Sequence, residues 1–88
     1  MYKIFETDQF IKDLDKNVKV KNIKKKLESQ VYDQLRGNPY FGTNIKKLKA
    51  YRPDTWRYRI ADYRFFYEID PEEKIVYMIT AEHRKDCY

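Results

Sequence analysis

The chain reads as an α+β fold: an N-terminal strand, two helices, then an antiparallel β-meander, with the helices packed on one face of the sheet. Three observations predict this. In the first half, Ile23, Leu27, Val31 and Leu35 recur every four residues, the spacing of one helical face. In the second half, Trp56-Arg57-Tyr58-Arg59-Ile60 and Tyr63-Arg64-Phe65-Phe66-Tyr67-Glu68-Ile69 alternate with the period of a strand. The connections between the late strands, Ala61-Asp62 and Asp70-Pro71-Glu72-Glu73, are short enough to make antiparallel hairpins. Helices in one block and strands in another separate this order from an alternating βαβ chain.

Each element has its own signal. Tyr2 to Glu6 is a short strand. Thr7 then offers an N-cap to a helix in which Phe10 and Leu14, four apart, make the buried stripe. A longer helix runs from Val18 to Arg36 and is stopped by Gly37 as a C′ residue followed by Pro39. Its outer faces carry Lys19, Lys21, Lys24, Lys25 and Lys26, which serve either as a solvated surface or as a secondary nucleic-acid contact. A loop with Tyr40 and Phe41 follows, then a short strand from Ile45 to Lys49 and a turn at Arg52-Pro53-Asp54-Thr55. The last strand, Lys74 to His83, is apolar on both faces and is therefore expected at the centre of the sheet.

At 88 residues, this reads as a single domain spanning 1–88, in which nine Tyr and five Phe carry much of the burial. A net charge of +5 points to a polyanionic partner, either nucleic acid or an acidic protein. One cysteine excludes an internal disulfide framework. No signal-like or membrane-length apolar stretch occurs, so the expected location is cytoplasmic with no membrane partner.

The functional signal is concentrated at two places. Side chains alternate along a strand, so Trp56, Tyr58 and Ile60 face the helices, while Arg57 and Arg59 share the opposite face with Arg64, Phe66 and Glu68. A two-residue turn at Ala61-Asp62 pairs Ile60 with Tyr63 and sets Arg59 directly opposite Arg64. Like charges so placed repel, by roughly 0.2–1 kcal/mol. Either the two guanidiniums splay into water or an anion sits between them. Phe66 beside them adds a ring, and cations interleaved with aromatics suit single-stranded nucleic acid. The second place is the end, His83-Arg84-Lys85-Asp86-Cys87-Tyr88, which follows an apolar run. His83 and Tyr88 can move a proton beside fixed cations. In a meander that end returns toward Arg64, so the two groups of residues are expected to converge.

The stretch from Trp56 to Ile69 and the ending His83-Arg84-Lys85-Asp86-Cys87-Tyr88 resemble the RelE/ParE superfamily of type II toxin–antitoxin toxins, most closely its RelE-like branch. The resemblance covers nearly the whole chain, with Ala61 standing where the family usually has glycine. It implies a RelE-like fold and a ribosome-dependent mRNA endoribonuclease, silenced by an acidic antitoxin in a hetero-oligomer. The reaction implied is metal-free transesterification: the ribose 2′-hydroxyl attacks phosphorus, giving a 2′,3′-cyclic phosphate and a free 5′-hydroxyl. Such chemistry needs a base, an acid and cations for the charge that grows on phosphate. The resemblance maps the family's catalytic residues onto Arg57, Arg59 and Arg64 in the meander and His83, Arg84 and Tyr88 at the end; of these, Arg64, His83, Arg84 and Tyr88 are read as catalytic, with His83 and Tyr88 as the acid–base pair in an order left open. RNA and phosphate contacts fall to Arg57, Arg59, Lys47, Lys49, Phe66 and Lys85. No Cys/His cluster at zinc spacing and no two-metal carboxylate set occurs, so no metal or other cofactor is expected. Antitoxin contact is expected at the groove between the long helix and the meander, with Tyr32, Tyr40 and Phe41 exposed. A ParE-like inhibitor of DNA gyrase and a non-catalytic RNA-binding domain are the alternatives on the same fold.

Overall fold

The computed structural model describes residues 1–16 and 20–83, with the backbone alone for 20–22. The expectations for Arg84, Lys85 and Tyr88, and for a helix start at Val18, lie outside the described residues. The elements are β1 (Lys3–Glu6), α1 (Asp8–Asp15), α2 (Val20–Lys26), a π-helical turn (Leu27–Val31), α3 (Tyr32–Gly37), β2 (Ile45–Lys47), β3 (Trp56–Ile60), β4 (Tyr63–Asp70) and β5 (Ile75–His83). The class is α+β, as expected, with a five-stranded sheet in the order β1-β5-β4-β3-β2.

Thr7 caps α1: its hydroxyl oxygen accepts the Phe10 N–H at 3.2 Å, and Asp8 places a negative charge in the first turn. Phe10 and Leu14 turn into the core. The long helix is not uniformly α. Its apolar residues step by four, and four residues of α-helix rotate about 40° beyond a full turn, so the stripe would drift off the sheet. The wider π turn at Leu27–Val31 takes up that drift, and Ile23, Leu27, Val31 and Leu35 are all buried. Gly37 is the last helical residue rather than a left-handed C′ glycine, since no glycine has positive φ. The helix is ended by Asn38, extended at φ −156°, whose side chain accepts the N–H groups of Tyr40 and Phe41, and by Pro39.

The meander forms as expected, with Ile60 paired to Tyr63 and Arg59 to Arg64. Three details differ. β2 is shorter, ending at Lys47 rather than Lys49. β1 joins β5 in parallel, making the sheet mixed, and this places β4, not β5, at the centre. β5 is nonetheless an interior strand, flanked by β1 and β4. The third difference is a β-bulge. Phe66 pairs with Thr80 but Tyr67 with Met78, so Ile79 is the extra residue. Thr7 grips β5 there, donating from its hydroxyl to the carbonyls of Met78 at 2.8 Å and Ile79 at 3.1 Å. Asp13 accepts the Ala81 N–H at 3.0 Å.

The core lies between the helices and one sheet face: Phe10, Leu27, Val31 and Leu35 against Phe65, Tyr67, Val76 and Met78, all at 2% exposure or less. Burying each such side chain contributes about 1.5–3 kcal/mol. Two core tyrosines satisfy their hydroxyls. Tyr67 donates to the Pro39 carbonyl at 2.8 Å, and Tyr32 donates to the Glu6 carboxylate at 2.5 Å. Tyr32 is therefore buried, contrary to its expected place in an exposed groove, while Phe41 is 77% exposed and Tyr40 half-buried.

Candidate nucleic-acid interface

The sheet face away from the helices carries the site. Paired residues project to the same side, so the register defines two rows across the strands. One row runs Lys46, Arg57, Phe66, Thr80 from β2 to β5. The other runs Arg59, Arg64, Glu82 from β3 to β5. Positions two apart on a strand lie about 6.8 Å from each other, so the rows are close neighbours. Together they hold Lys46, Arg57, Arg59 and Arg64 against the single carboxylate of Glu82. Arg59 is exposed, while Arg57, Arg64, Phe66 and Glu82 are half-buried. The Arg57 Nε is buried with no hydrogen-bond partner among the described residues, an unmet donor in the middle of the cationic patch.

Of the residues singled out from sequence, Arg57, Arg59, Arg64 and Phe66 come together on this face. Lys47 does not. It pairs with Trp56 on the helix side, with its ammonium 5.7 Å from the Trp56 ring centroid and 3.3 Å from the Asp54 carboxylate. Its neighbour Lys46 occupies the position across from Arg57 instead. The signal was available: Ile45 must face the core, packing with Tyr58, and that alternation turns Lys46 outward. Lys49 lies beyond β2 in the exposed loop that lines a depression of about 620 Å³ with Lys47, Tyr51, Arg52 and Asp54.

His83 also departs from expectation. It pairs with Tyr63, a helix-side residue, and the two rings meet edge to face at 4.5 Å. Counting by alternation from buried Met78 would turn residue 82 inward and residue 83 toward the arginines. The bulge at Ile79 exchanges them: Ala81 and His83 turn to the helix side, and Thr80 and Glu82 to the arginine side. The chain therefore delivers its terminal strand next to Arg64, as expected, but with Glu82 rather than His83 on the cationic face. Nothing in the sequence marks the extra residue that brings Glu82 to this face.

Elsewhere, Tyr2, Tyr40 and Trp56 form an edge-to-face series with centroid distances of 6.2 and 5.4 Å. The hydrogen bond between the Tyr2 and Tyr40 hydroxyls, together with burial, raises the Tyr40 pKa. Among the described residues, no group of three or more His, Cys, Asp or Glu side chains could hold a metal ion. Likewise, none of the described helices is long and apolar enough to cross a membrane.

The chain belongs to the family of ParE toxins of type II toxin–antitoxin systems (parDE), whose sequence model matches residues 4–88. No curated protein matches it in sequence. Among solved structures it is similar to the toxin–antitoxin complex RelBE2 from Mycobacterium tuberculosis, with 21% identity, 94% of this chain and 98% of that one covered, and a TM-score of 0.74. The RelB–RelE antitoxin–toxin complex from Methanococcus jannaschii matches at 24% identity, covering 96% and 94%, with a TM-score of 0.73. The intact E. coli RelBE complex matches at 19% identity, covering 94% and 96%, with a TM-score of 0.74. The fold is thus that of the RelE toxins, within the RelE/ParE superfamily.

Proposed function

We propose that this toxin is an mRNA endoribonuclease that acts on translating ribosomes in the cytoplasm. The observation that carries the reading is the pair of rows in which Lys46, Arg57, Arg59 and Arg64 gather on one open sheet face. Arg59 and Arg64 repel each other in the free protein, and a phosphate between them turns that repulsion into two charge-assisted contacts. Their forked donors suit phosphate oxygens better than lysine would. Arg57 and Lys46, one row away, hold the flanking phosphate, and Phe66 offers a surface on which a base stacks. The 2′-hydroxyl of the bound nucleotide attacks the clamped phosphorus, and the arginines stabilise the charge that accumulates on its oxygens.

The partner that silences it is an acidic antitoxin. Support comes from the net charge of +5 and from the complexes with RelB antitoxins in which similar folds have been solved. An antitoxin segment that covers the arginines, or displaces the end of β5, would exclude RNA.

Gyrase inhibition is the second reading, and two observations favour it: the matching family is that of ParE, and His83 stands on the helix side, away from the arginines. One experiment separates the two. The chain is induced without a partner, and labelled amino acid incorporation, mRNA integrity and plasmid supercoiling are followed together. Translation should fall first, with cuts inside translated messages; early loss of supercoiling with intact mRNA would establish the gyrase reading instead.

A further inference from the structure

Among the described residues, the register puts two carboxylates on the cationic face, Glu68 and Glu82, and neither is among the residues the family resemblance singled out. We infer that Glu82 is the general base of the cleavage reaction, taking the proton from the attacking 2′-hydroxyl. The inference rests on the ribonuclease reading above. Glu82 is directly opposite Arg64 across β4 and β5, and Arg64 is directly opposite Arg59 across β3 and β4. Directly paired residues have Cβ atoms about 4.5–5.5 Å apart. A phosphate held by Arg59 and Arg64 leaves the Glu82 end of the row within reach of the adjacent ribose. That is the placement a general base needs: within hydrogen-bond reach of the hydroxyl it deprotonates, beside the clamp but not under it.

The other candidate groups among the described residues are less well placed. His83 is turned to the helix side against Tyr63. Glu68 lies on the arginine face but pairs with Tyr77, two positions beyond Phe66 and away from the Arg59–Arg64 row. Thr80, in the Phe66 row, has a hydroxyl that is a poor base. Glu82 is half-buried.

The step balances without a further reactant. Glu82 accepts the 2′-hydroxyl proton as O2′ forms its bond to phosphorus, and the bond from phosphorus to O5′ breaks. The departing O5′ takes a proton from water, and protonated Glu82 returns its own to the hydroxide so formed. The products are a 2′,3′-cyclic phosphate and a 5′-hydroxyl, with no net change in protons.

An ordinary alternative exists for this residue: a carboxylate that only offsets the charge of Arg64. The two roles predict opposite results for Glu82→Gln. Removing a negative charge from a phosphate site strengthens RNA binding and, if the role is charge balance, leaves cleavage unchanged or faster. A general base instead gives unchanged or tighter binding with a cleavage step slower by about 10²-fold or more. The experiment measures binding of the wild type, Glu82→Gln and Glu82→Asp to ribosomes carrying a synthetic mRNA, and then single-turnover cleavage with the toxin saturating. Circular dichroism confirms that each variant is folded. Glu82→Asp keeps the carboxylate one methylene further back, and its rate should fall between the other two. Cleavage by Glu82→Gln at the wild-type rate or above overturns the assignment, as does a parallel loss of binding and cleavage. Wild-type toxin that leaves the mRNA intact removes the ribonuclease reading itself, a distinct outcome that takes this assignment with it.

Discussion

The carboxylate of Asp13, near the end of α1, accepts the backbone N–H of Ala81 at 3.0 Å, just past the bulge in β5. With Thr7 gripping the carbonyls of Met78 and Ile79 from the other end of the helix, α1 holds the bulge at both sides. The bulge in turn decides which of Glu82 and His83 faces the arginines. A helix contact on the back of the sheet therefore governs the chemistry presented on its front.

Asp13→Ala should destabilise the fold by about 1–3 kcal/mol, because the Ala81 N–H loses its acceptor. The change is read as a lower midpoint in urea with an unaltered slope. RNA cleavage should fall further than the folded fraction does, since residues 80–83 lose a fixed register. A variant with wild-type stability would show that the bulge holds itself.

Ala61 has φ 53°, a left-handed conformation that costs a residue with a Cβ about 1–2 kcal/mol. Ala61→Gly removes that cost but adds freedom to the unfolded chain, worth about 0.4–1 kcal/mol. The net expectation is a stabilisation of up to about 1.6 kcal/mol, measured by chemical denaturation, with Arg59 still opposite Arg64. A destabilised variant would mean that the Ala61 methyl packs in a way its exposure does not suggest.

Most of the fold could be read from the residues. The Thr7 cap, the four-residue stripe and the two-residue turn at Ala61-Asp62 are local signals, and the turn alone sets the register of Arg59 against Arg64. What could not be read was non-local or a matter of one residue. The parallel pairing of β1 with β5 joins opposite ends of the chain and leaves no local mark. The extra residue at Ile79 sits in a run apolar on both faces, where alternation carries no information about parity. That one residue exchanges His83 and Glu82 across the sheet, so the parity of the site is not legible either. A related ambiguity holds for Lys46-Lys47, which offers two cations where only the position of Ile45 tells which one faces out.

Those two lysines make a direct comparison. Lys46→Ala should weaken RNA binding and reduce its salt dependence by about one counterion, because it removes a cation beside Arg57. Lys47→Ala should leave both nearly unchanged, its charge being engaged with Asp54 on the other side of the sheet. Binding isotherms at several salt concentrations decide the matter, and equal losses in both variants would contradict the register.

Two buried hydroxyls set the alkaline limit of the fold. Burial, then the hydrogen bond and negative charge of Glu6, raise the Tyr32 pKa far above its ordinary 10.0. Burial, followed by Tyr58, raises that of Tyr67 above the same value. In the unfolded chain both tyrosines ionise near pH 10, so above it the native state binds more protons than the unfolded one and stability falls as pH rises. Their contribution is fully present below pH 10 and is lost through the range above it. Denaturation midpoints between pH 8 and 12 should decline more steeply for the wild type than for Tyr67→Phe, which has one such group fewer. Identical slopes would show that Tyr67 ionises freely in the folded protein.

The most direct test of the central claim, that the arginine face cleaves RNA, is primer extension across an mRNA translated in a cell extract. It compares purified wild type with Arg64→Ala, each checked for folding. Arg64 is directed away from the core, so its removal should leave the fold intact and slow cleavage by about 10²-fold or more, as expected for a group that stabilises charge mainly in the transition state. Cuts appearing with the wild type and vanishing with folded Arg64→Ala are the predicted result. Equal cutting by both proteins, or intact mRNA with the wild type, would contradict it.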